Sequence, residues 1–256
     1  MDQELTGIES CKTIIVIPCY QEESRLDPGR FSEFLEAQTD TGFVFVDDGS
    51  TDATAAVIDI AVNRHPGRIA ALGNETNLGK GEAVRRGVLH AAGRAEYVGY
   101  WDADLSTPLE IIPDLLAELE GRGARLVMGA RVKAAGNEIV RTPCRHYPGR
   151  VFATLASLVT GRGFYDTQCG AKLFHRDIVP ICFREPFLSR WCFDVEVLLR
   201  LLAAQGIDDV NTPDSAVIEL PLTRWIDSGD SRLKPSDVPR MAADLARIWH
   251  RYRWHG

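Results

Sequence analysis

The feature that most restricts the fold of this chain is a regular alternation of short apolar segments with segments of helical length. The apolar segments are rich in β-branched and aromatic residues and occupy residues 12–18, 42–50, 68–73, 95–104 and 124–131. Between them lie segments of helical length at about 28–38, 52–65, 79–92 and 108–121. Strands that alternate with helices predict βαβ units, and hence an α/β fold with a mostly parallel sheet covered by helices on both faces.

The second half of the chain has a different pattern, without an internal repeat, a low-complexity segment or a long linker. Helices are predicted at about 145–160 and 193–206, and again in the C-terminal segment at about 235–254. Residues 166–174 and 217–222 are predicted to be extended. A single α/β domain over residues 1–256 is the simplest organisation.

Composition argues against several classes of function. The 256 residues carry a formal net charge of −7, which disfavours a nucleic-acid binder. The N-terminal residues lack the basic-then-apolar pattern of a secretory signal, and no window reaches the roughly 18 unbroken apolar residues of a membrane-spanning helix. The six cysteines have no C-x-x-C spacing and indicate reduced thiols. We expect a cytoplasmic protein that is soluble or peripheral on a membrane.

Charged residues follow the predicted strands at the points where the strands end. Asp47 and Asp48 follow the second strand, Asp102 and Asp104 follow the fourth, and Arg131 follows the fifth. Ligands of open parallel sheets bind outside the carboxyl ends of the strands. We therefore expect these side chains to meet in one crevice.

The Asp-x-Asp pair formed by Asp102 and Asp104 has two interpretations. Both carboxylates can reach one hard cation such as Mg²⁺ or Mn²⁺, with diphosphate oxygens as further ligands. Short acidic patterns also occur as solvated turns. In the same way, residues 47–50 form either a capped turn before a helix or a site where a carboxylate accepts a hydrogen bond from a nucleoside. Lys80 opens a helix, and the N–H groups at a helix start attract anions.

Four segments in order, IIVIPCYQEE, FVDDGSTDAT, NLGKGEAVRRGV and YWDADLSTP, resemble family 2 glycosyltransferases of the GT-A fold. Further along, MGARV, DTQCGAKLF, RWCFDVEVLLR and TRWIDSGDSRLKP resemble the dolichyl-phosphate β-glucosyltransferases, whose relatives include the polyprenyl-phosphate mannose synthases. The resemblance runs from about Thr13 to Arg253. It implies a nucleotide-sugar-binding half at about 12–131, an acceptor-binding half at about 132–234 and a basic amphipathic helix at about 235–254.

The resemblance implies an inverting, metal-dependent enzyme that moves glucose from UDP-glucose to a polyprenyl phosphate. Asp102 and Asp104 would hold Mg²⁺ or Mn²⁺, although Ser106 stands where many mannose-transferring relatives have glutamine. Residues implied to bind the nucleotide sugar are Pro18, Tyr20, Glu22, Asp48, Lys80, Asp102, Asp104 and Arg232. Asp166, Gln168 and Lys172 are expected in the wall of the pocket.

Roles in catalysis are implied for Asp104, Asp194, Arg131 and Arg232. Arg131 and Arg150 are candidates for holding the acceptor phosphate, since a guanidinium matches phosphate oxygens, although Arg150 is equally well a solvated helix residue. Asp194 and Glu196 lie on different faces of a helix and cannot both reach one atom. We expect Asp194 to face the glucose hydroxyls; the alternative is a carboxylate that only stabilises the helix N-terminus.

A polyprenyl phosphate acceptor requires contact with a membrane surface. Two amphipathic stretches, RVFATLASLVTGRGF and PRMAADLARIWHRYRW, are candidates, and the second combines basic residues with an apolar stripe, as interfacial helices do. The alternative is that this helix docks on the core. Two other functions stay open: transfer of mannose or another sugar to a different lipid or to a soluble acceptor, and nucleotide-sugar binding without catalysis.

Overall fold

The structure, a computed structural model, describes residues 8–134, 136–140, 143–205, 215–227, 229 and 238–252, with residues 143–151, 205 and 238 described by their backbone alone. Its strands are β1 (Thr13–Cys19), β2 (Thr41–Asp47), β3 (Ile69–Gly73), β4 (Tyr97–Trp101), β5 (Leu126–Ala130), β6 (Glu138–Val140), β7 (Ala171–His175), β8 (Val217–Pro221) and β9 (Arg224–Ile226). Its α-helices are α1 (Pro28–Ala37), α2 (Thr54–Arg64), α3 (Lys80–Ala91), α4 (Ile112–Arg122), α5 (Pro143–Thr160), α6 (Val179–Phe183), α7 (Phe193–Gln205) and α8 (Val238–Tyr252).

Seven strands form the main sheet in the order β3-β2-β1-β4-β7-β5-β8. β1 is parallel to both of its neighbours, with Cys19 at its end opposite Asp47 of β2. Within this sheet β7 runs antiparallel to its neighbours β4 and β5, so that its first residue, Ala171, lies opposite the last residue of β4, Trp101. The turn before β7 therefore reaches the same edge as the carboxyl ends of the parallel strands. The predicted α/β fold with a mostly parallel sheet is confirmed.

The reversed strand corrects one expectation. The segment predicted to be extended over 166–174 is a turn at 166–170 followed by β7. The buried ammonium of Lys172 lies 3.0 Å from the carbonyl oxygen of Thr167 and 2.6 Å from that of Cys169. These two hydrogen bonds fold the chain back before the strand begins.

Two short parallel strands, β6 and β9, form a second sheet that the sequence does not predict. Ile139 and Trp225 are paired across it, and both are buried. The N–H of Ile226 donates to the carbonyl oxygen of Ser106 (3.0 Å), which attaches this sheet to the loop after β4. Each strand has three residues, too few for an alternating pattern to identify.

The core consists of two apolar layers, one on each face of the main sheet. Side chains of β1 alternate between them, so Ile15 and Ile17 belong to one layer and Ile14 and Val16 to the other. Helices α1, α2 and α4 cover the first face, and α3, α6 and α7 cover the second. Because both faces are covered, β1 and β2 are apolar along nearly their whole length, which explains their unbroken runs in the sequence.

The C-terminal helix α8 packs on the second half of the chain. Leu245 and Ile248 are buried against Ala156 of α5 and Val195 of α7. Trp249 belongs to the same predicted apolar stripe but is 45% exposed. Part of the stripe therefore docks on the core, which was the alternative to an interfacial helix, and part of it faces outward. None of the helices in the described part of the chain is both long enough and apolar enough to cross a membrane.

Candidate active site

The loops that follow β1 and β2 are joined by Gln21 at the carboxyl edge of the sheet. Its backbone N–H donates to Ser50 Oγ (3.0 Å), and its side-chain oxygen accepts from the N–H groups of Thr51 and Asp52 (3.1 Å each). Gln21 has a φ of 54°, in the left-handed region that is costly for residues other than glycine. These hydrogen bonds hold the strained residue and fix the loop on which Tyr20 and Glu22 lie.

Three residues at the end of β1 and in the loop after it are predicted to bind the nucleotide sugar, and the structure places them differently. Tyr20 is exposed at the edge, and Pro18 is partly buried in β1. Glu22 is buried, and its two oxygens accept from the guanidinium of Arg25 at 2.8 and 2.6 Å. Tyr20 is therefore accessible to a ligand, whereas an ion pair holds Glu22 within the protein. Their binding roles stay predictions.

Asp48 is buried and shapes the loop between β3 and α3. One carboxylate oxygen accepts from Asn74 Nδ2 (2.7 Å) and the N–H of Leu78 (2.9 Å), and the other accepts from the N–H of Gly79 (2.7 Å). Three donors therefore hold this carboxylate against the loop, and its expected contact with a nucleoside stays a prediction. Asp47 is the more exposed of the two aspartates.

Lys80, the first residue of α3, reaches the Asp-x-Asp loop. Its ammonium nitrogen lies 2.5 Å from Asp102 Oδ1. Burial alone would lower the pKa of Lys80, but the charges of Asp102 and Asp194 outweigh burial and raise it. Burial alone would raise the pKa of Asp102, but Lys80 outweighs burial and the pKa is lowered. Both groups are therefore charged at neutral pH, and the nucleotide-sugar-binding role of Lys80 stays a prediction.

The Asp-x-Asp loop rests on Gly170, the last residue of the turn before β7. The N–H of Asp102 donates to the carbonyl oxygen of Gly170 (3.0 Å). A Cβ at position 170 would lie 2.0 Å from Asp102 Oδ2, so only glycine leaves room for this carboxylate. Two residues further on, Asp104 Oδ1 accepts from the N–H of Ser106 (3.0 Å). The side chain of Ser106 itself is buried.

The donor set of this loop suits Mg²⁺ or Mn²⁺. Asp102 and Asp104 offer carboxylate oxygens, the ligands that these hard cations prefer, and both residues are partly exposed. Over the residues that the structure describes, no group of three or more His, Cys, Asp and Glu side chains could hold a metal ion by itself. A cation here would need further oxygen ligands, such as those of a diphosphate.

Asp194, at the start of α7, lies in a buried network behind the Asp-x-Asp loop. Its Oδ1 accepts from Lys172 Nζ (2.6 Å) and from the hydroxyl of Tyr100, and its Oδ2 accepts from Gln168 Nε2 (3.4 Å). Burial, followed by the charge of Asp194, raises the pKa of Tyr100 far above its usual range, so the hydroxyl stays a donor. Because Asp194 is itself buried, this geometry does not support direct contact with glucose hydroxyls.

Glu196 lies two residues along α7 and points elsewhere. Its carboxylate accepts from Arg200 Nη2 (2.8 Å), the hydroxyl of Tyr252 (2.9 Å) and the N–H of Leu188 (2.8 Å). The helical argument that Asp194 and Glu196 cannot reach one atom agrees with this arrangement. Glu196 connects α7 to α8, whereas Asp194 connects α7 to the site.

Arg131, at the end of β5, is paired with Asp166 of the turn before β7. Its guanidinium donates to both carboxylate oxygens of Asp166 at 2.6 and 2.7 Å, and it lies 5.3 Å from the ring centre of Trp225. Burial alone would lower the pKa of Arg131, but Asp166 outweighs burial and raises it. The expected phosphate-binding role of Arg131 stays a prediction, and the structure adds a structural role beside it. Arg232 and the side chain of Arg150 lie outside the described residues.

The site thus gathers most of the expected residues and also some that sequence reasoning missed. The charges of Asp102 and Asp194 raise the pKa of Lys80, and those of Lys80 and Arg131 lower the pKa of Asp102. Gln21 and Gly170 were missed. The only signals were a polar residue two positions after β1 and a glycine directly before β7, and both are common in ordinary turns.

Residues 14–180 match the family described as Glycosyl transferase family 2. The chain belongs to glycosyl transferase family 2. It is 32% identical over 249 residues to the dolichyl-phosphate beta-glucosyltransferase ALG5C of Trichomonas vaginalis, a match that covers 92% of this chain and 70% of that one. It is 34% identical over 262 residues to the dolichyl-phosphate beta-glucosyltransferase of Drosophila melanogaster, covering 95% and 76%. The predicted family and the predicted class of enzyme, a glycosyltransferase, are confirmed.

The fold also matches solved glycosyltransferase structures. The glucosyl-3-phosphoglycerate synthase of Mycobacterium tuberculosis, in complex with Mn²⁺, UDP and phosphoglyceric acid, superimposes with a TM-score of 0.61 over 93% of this chain and 76% of that one, at 20% identity. At this identity the match shows the shared GT-A-like fold.

Proposed function

We propose that this family 2 glycosyltransferase transfers glucose from UDP-glucose to a polyprenyl phosphate of the dolichyl type. The observation that carries the proposal is the similarity over 92% of the chain to a dolichyl-phosphate beta-glucosyltransferase. The carboxylates at the sheet edge support it, because Asp102 and Asp104 form a donor set that suits a divalent cation and a diphosphate. The Mycobacterium tuberculosis neighbour, crystallised with Mn²⁺ and UDP, has the same fold.

Asp102 and Asp104 would hold Mg²⁺ or Mn²⁺. When bound, such a cation neutralises negative charge on the diphosphate of the departing UDP. Lys80 adds a second positive charge next to Asp102 (2.5 Å). Its position at the start of α3, beside Asp102, also suits neutralisation of the negative charge on the diphosphate. Arg232 is assigned to the donor diphosphate by resemblance alone.

The reaction needs no general base from the protein. The acceptor phosphate is already ionised near neutral pH, so one of its oxygens can attack the anomeric carbon directly. A new bond forms between that oxygen and the anomeric carbon while the bond to UDP breaks, and UDP leaves with the electron pair. Attack from the side opposite UDP inverts the anomeric carbon and gives a β-linked product. The protein contributes alignment and charge stabilisation.

Contact with the membrane that contains the acceptor is proposed for the outer surface of α5 and α8. Leu155 and Leu158 of α5 are 40% and 70% exposed, and Trp249 of α8 is 45% exposed. α5 and α8 pack against each other, so these apolar side chains belong to adjoining elements. Exposed leucines beside a tryptophan on a basic helix are typical of a peripheral membrane surface. Leu158→Glu should reduce flotation of the protein with anionic vesicles; flotation equal to that of the wild type would argue against this surface.

The decisive test is transfer of radiolabelled glucose from UDP-glucose to a short polyprenyl phosphate in detergent. It is run with Mn²⁺, with EDTA, and with Asp104→Ala; Asp40→Ala, an aspartate at the opposite edge of the sheet, is the matched control. Label in the organic phase that is lost with EDTA and with Asp104→Ala, but kept with Asp40→Ala, supports the proposal. If the label instead moves from UDP-glucose to a soluble phosphate acceptor, and the labelled product stays in the water phase, the acceptor belongs to that soluble class. Transfer from GDP-mannose but not from UDP-glucose would replace the donor.

A further inference from the structure

Gln168 lies in the middle of the turn at 166–170, and the buried Lys172 fixes the backbone on both sides of it. The ammonium of Lys172 lies 3.0 Å from the carbonyl oxygen of Thr167 and 2.6 Å from that of Cys169. Thr167, Cys169 and Lys172 are all buried, whereas Gln168 is only partly buried. Gln168 is therefore a partly exposed residue in a turn whose backbone is held on both sides of it.

Asp194 determines which end of the Gln168 amide faces outward. A carboxylate only accepts hydrogen bonds, so the amide NH₂ group has to face Asp194 Oδ2 (3.4 Å). The other oxygen of Asp194 is already engaged by Lys172 and by the hydroxyl of Tyr100. The amide oxygen of Gln168 consequently points away from this network, as an acceptor with a fixed orientation.

The location of this acceptor limits what it can bind. Gln168 is two residues before Gly170, against which the Asp102 carboxylate lies. Under the proposed function, Asp102 and Asp104 lie at the diphosphate of the donor. The diphosphate joins the hexose to the nucleoside, and the nucleoside is assigned to the loops after β1 and β2. Because β7 lies on the other side of β4, the hexose is the part of the donor expected on the side of Gln168. An oriented carbonyl oxygen recognises a group that donates a hydrogen bond, and a hexose offers hydroxyls.

We propose that the side-chain oxygen of Gln168 accepts a hydrogen bond from a hydroxyl of the transferred hexose, and that Asp194 and Lys172 are positioning residues that orient it. This inference rests on the proposed donor. It replaces the expectation that Asp194 faces the sugar, because Asp194 lies one side chain further inside. It makes Gln168 a determinant of donor specificity.

The first experiment compares binding of UDP-glucose and of UDP by calorimetry, with no acceptor present. Gln168→Ala should weaken UDP-glucose binding by about five- to tenfold and leave UDP binding unchanged, since a neutral hydrogen bond is worth about 1 kcal/mol. Gln38→Ala, at the amino edge of the sheet, is the matched control and should bind both ligands as the wild type does. A ratio of the two affinities that is unchanged in Gln168→Ala would overturn the proposal.

A second experiment identifies the hydroxyl with UDP-glucose analogues that lack single hydroxyls. The wild type should lose affinity for one analogue in particular, and Gln168→Ala should bind that analogue and UDP-glucose equally. If Gln168→Ala discriminates among all analogues as the wild type does, the contact does not exist. These assays need no lipid, so the proposed acceptor and the proposed contact of Gln168 can fail separately. If the wild type makes no lipid-linked glucose but Gln168→Ala still weakens UDP-glucose binding selectively, only the proposed acceptor is refuted.

The positioning roles are tested by a double-mutant cycle. Asp194→Asn removes the charge that fixes the amide, so it should reduce UDP-glucose binding about as much as Gln168→Ala and leave UDP binding intact. The double variant should be no weaker than Gln168→Ala alone, because both changes remove one contact. Additive losses, or equal losses for UDP and UDP-glucose, would show a merely structural role for Asp194. Lys172→Arg should keep part of the affinity for UDP-glucose that Lys172→Met loses.

Discussion

Replacing Gly170 with alanine should damage the site far more than the fold. A Cβ at position 170 would lie 2.0 Å from Asp102 Oδ2 and 2.1 Å from Asp102 Cγ, where contacts below 3.0 Å essentially do not occur. One of the two groups therefore has to move by about 1 Å. The backbones are tied by the hydrogen bond from Asp102 N–H to the Gly170 carbonyl (3.0 Å), so the carboxylate is the group that turns away.

The size of the effect follows from what this carboxylate contacts. Turning it away breaks the ion pair with Lys80, in which the Asp102 side chain is 37% exposed, so screening by water keeps that loss small. Together with local overpacking, the free energy of unfolding should fall by about 1–3 kcal/mol. A group misplaced by about 1 Å in an active site costs about 100-fold in rate. We therefore expect kcat/KM for glucose transfer to fall about 100-fold in a protein that is still folded.

The assay combines thermal unfolding, Mn²⁺ titration and kcat/KM for Gly170→Ala. Gly121→Ala is the control, because a Cβ at this position of α4 has no heavy atom outside the helix within 4 Å. That control should be more stable by up to about 1 kcal/mol, as expected for alanine in a helix, with unchanged transfer. Wild-type Mn²⁺ affinity and wild-type kcat/KM in Gly170→Ala would refute the claim that Gly170 sets the position of Asp102.

Three further outcomes are expected. Lys80→Met should strengthen Mn²⁺ binding in the absence of nucleotide, because its ammonium no longer competes for Asp102 Oδ1; calorimetry that finds weaker binding than in the wild type or in Lys12→Met would contradict this. Glu196→Gln should lower the free energy of unfolding by about 1–3 kcal/mol in urea titrations and leave UDP-glucose affinity unchanged, since its carboxylate is buried with Arg200 and faces away from the site. Burial raises the pKa of Cys169 from 9.0 to about 11, so the unfolded chain loses this proton first. Stability should therefore fall between about pH 9 and 11, and urea titrations should show a shallower fall for Cys169→Ala; an equal fall would contradict the assignment.

The sheet was predictable because its strands are buried on both faces. β1 and β2 leave unbroken apolar runs in the sequence, and the residues that follow them mark the carboxyl edge. The position of the Asp-x-Asp pair follows from the end of β4 alone. Local pattern is sufficient to predict such strands, because the unbroken apolar run of each one is present in the sequence whichever strand lies next to it.

The direction of β7 and the presence of the second sheet were not predictable, because both depend on contacts with other parts of the chain and not on local pattern. β7 has the same apolar character as a parallel strand, and only the turn before it, held by Lys172, determines its direction. β6 and β9 are three residues each and exist through contacts with the loop after β4. The hydrogen bonds between Asp48 and the 74–79 loop could not be predicted either. An aspartate after a strand has the same sequence context whether it binds a ligand or the backbone.

α7 explains how one short motif serves two purposes. Within FDVE, Asp194 turns toward Tyr100 of β4 and Lys172 of β7, while Glu196 turns toward Arg200 and Tyr252 of α8. Residues two apart on a helix face different ways, so each carboxylate has its own set of partners. Removing the charge of Asp194 should therefore change recognition of the donor sugar, whereas removing that of Glu196 should change stability. If both changes had the same effect on both properties, the two faces of α7 would not be independent, and the division of roles would be wrong.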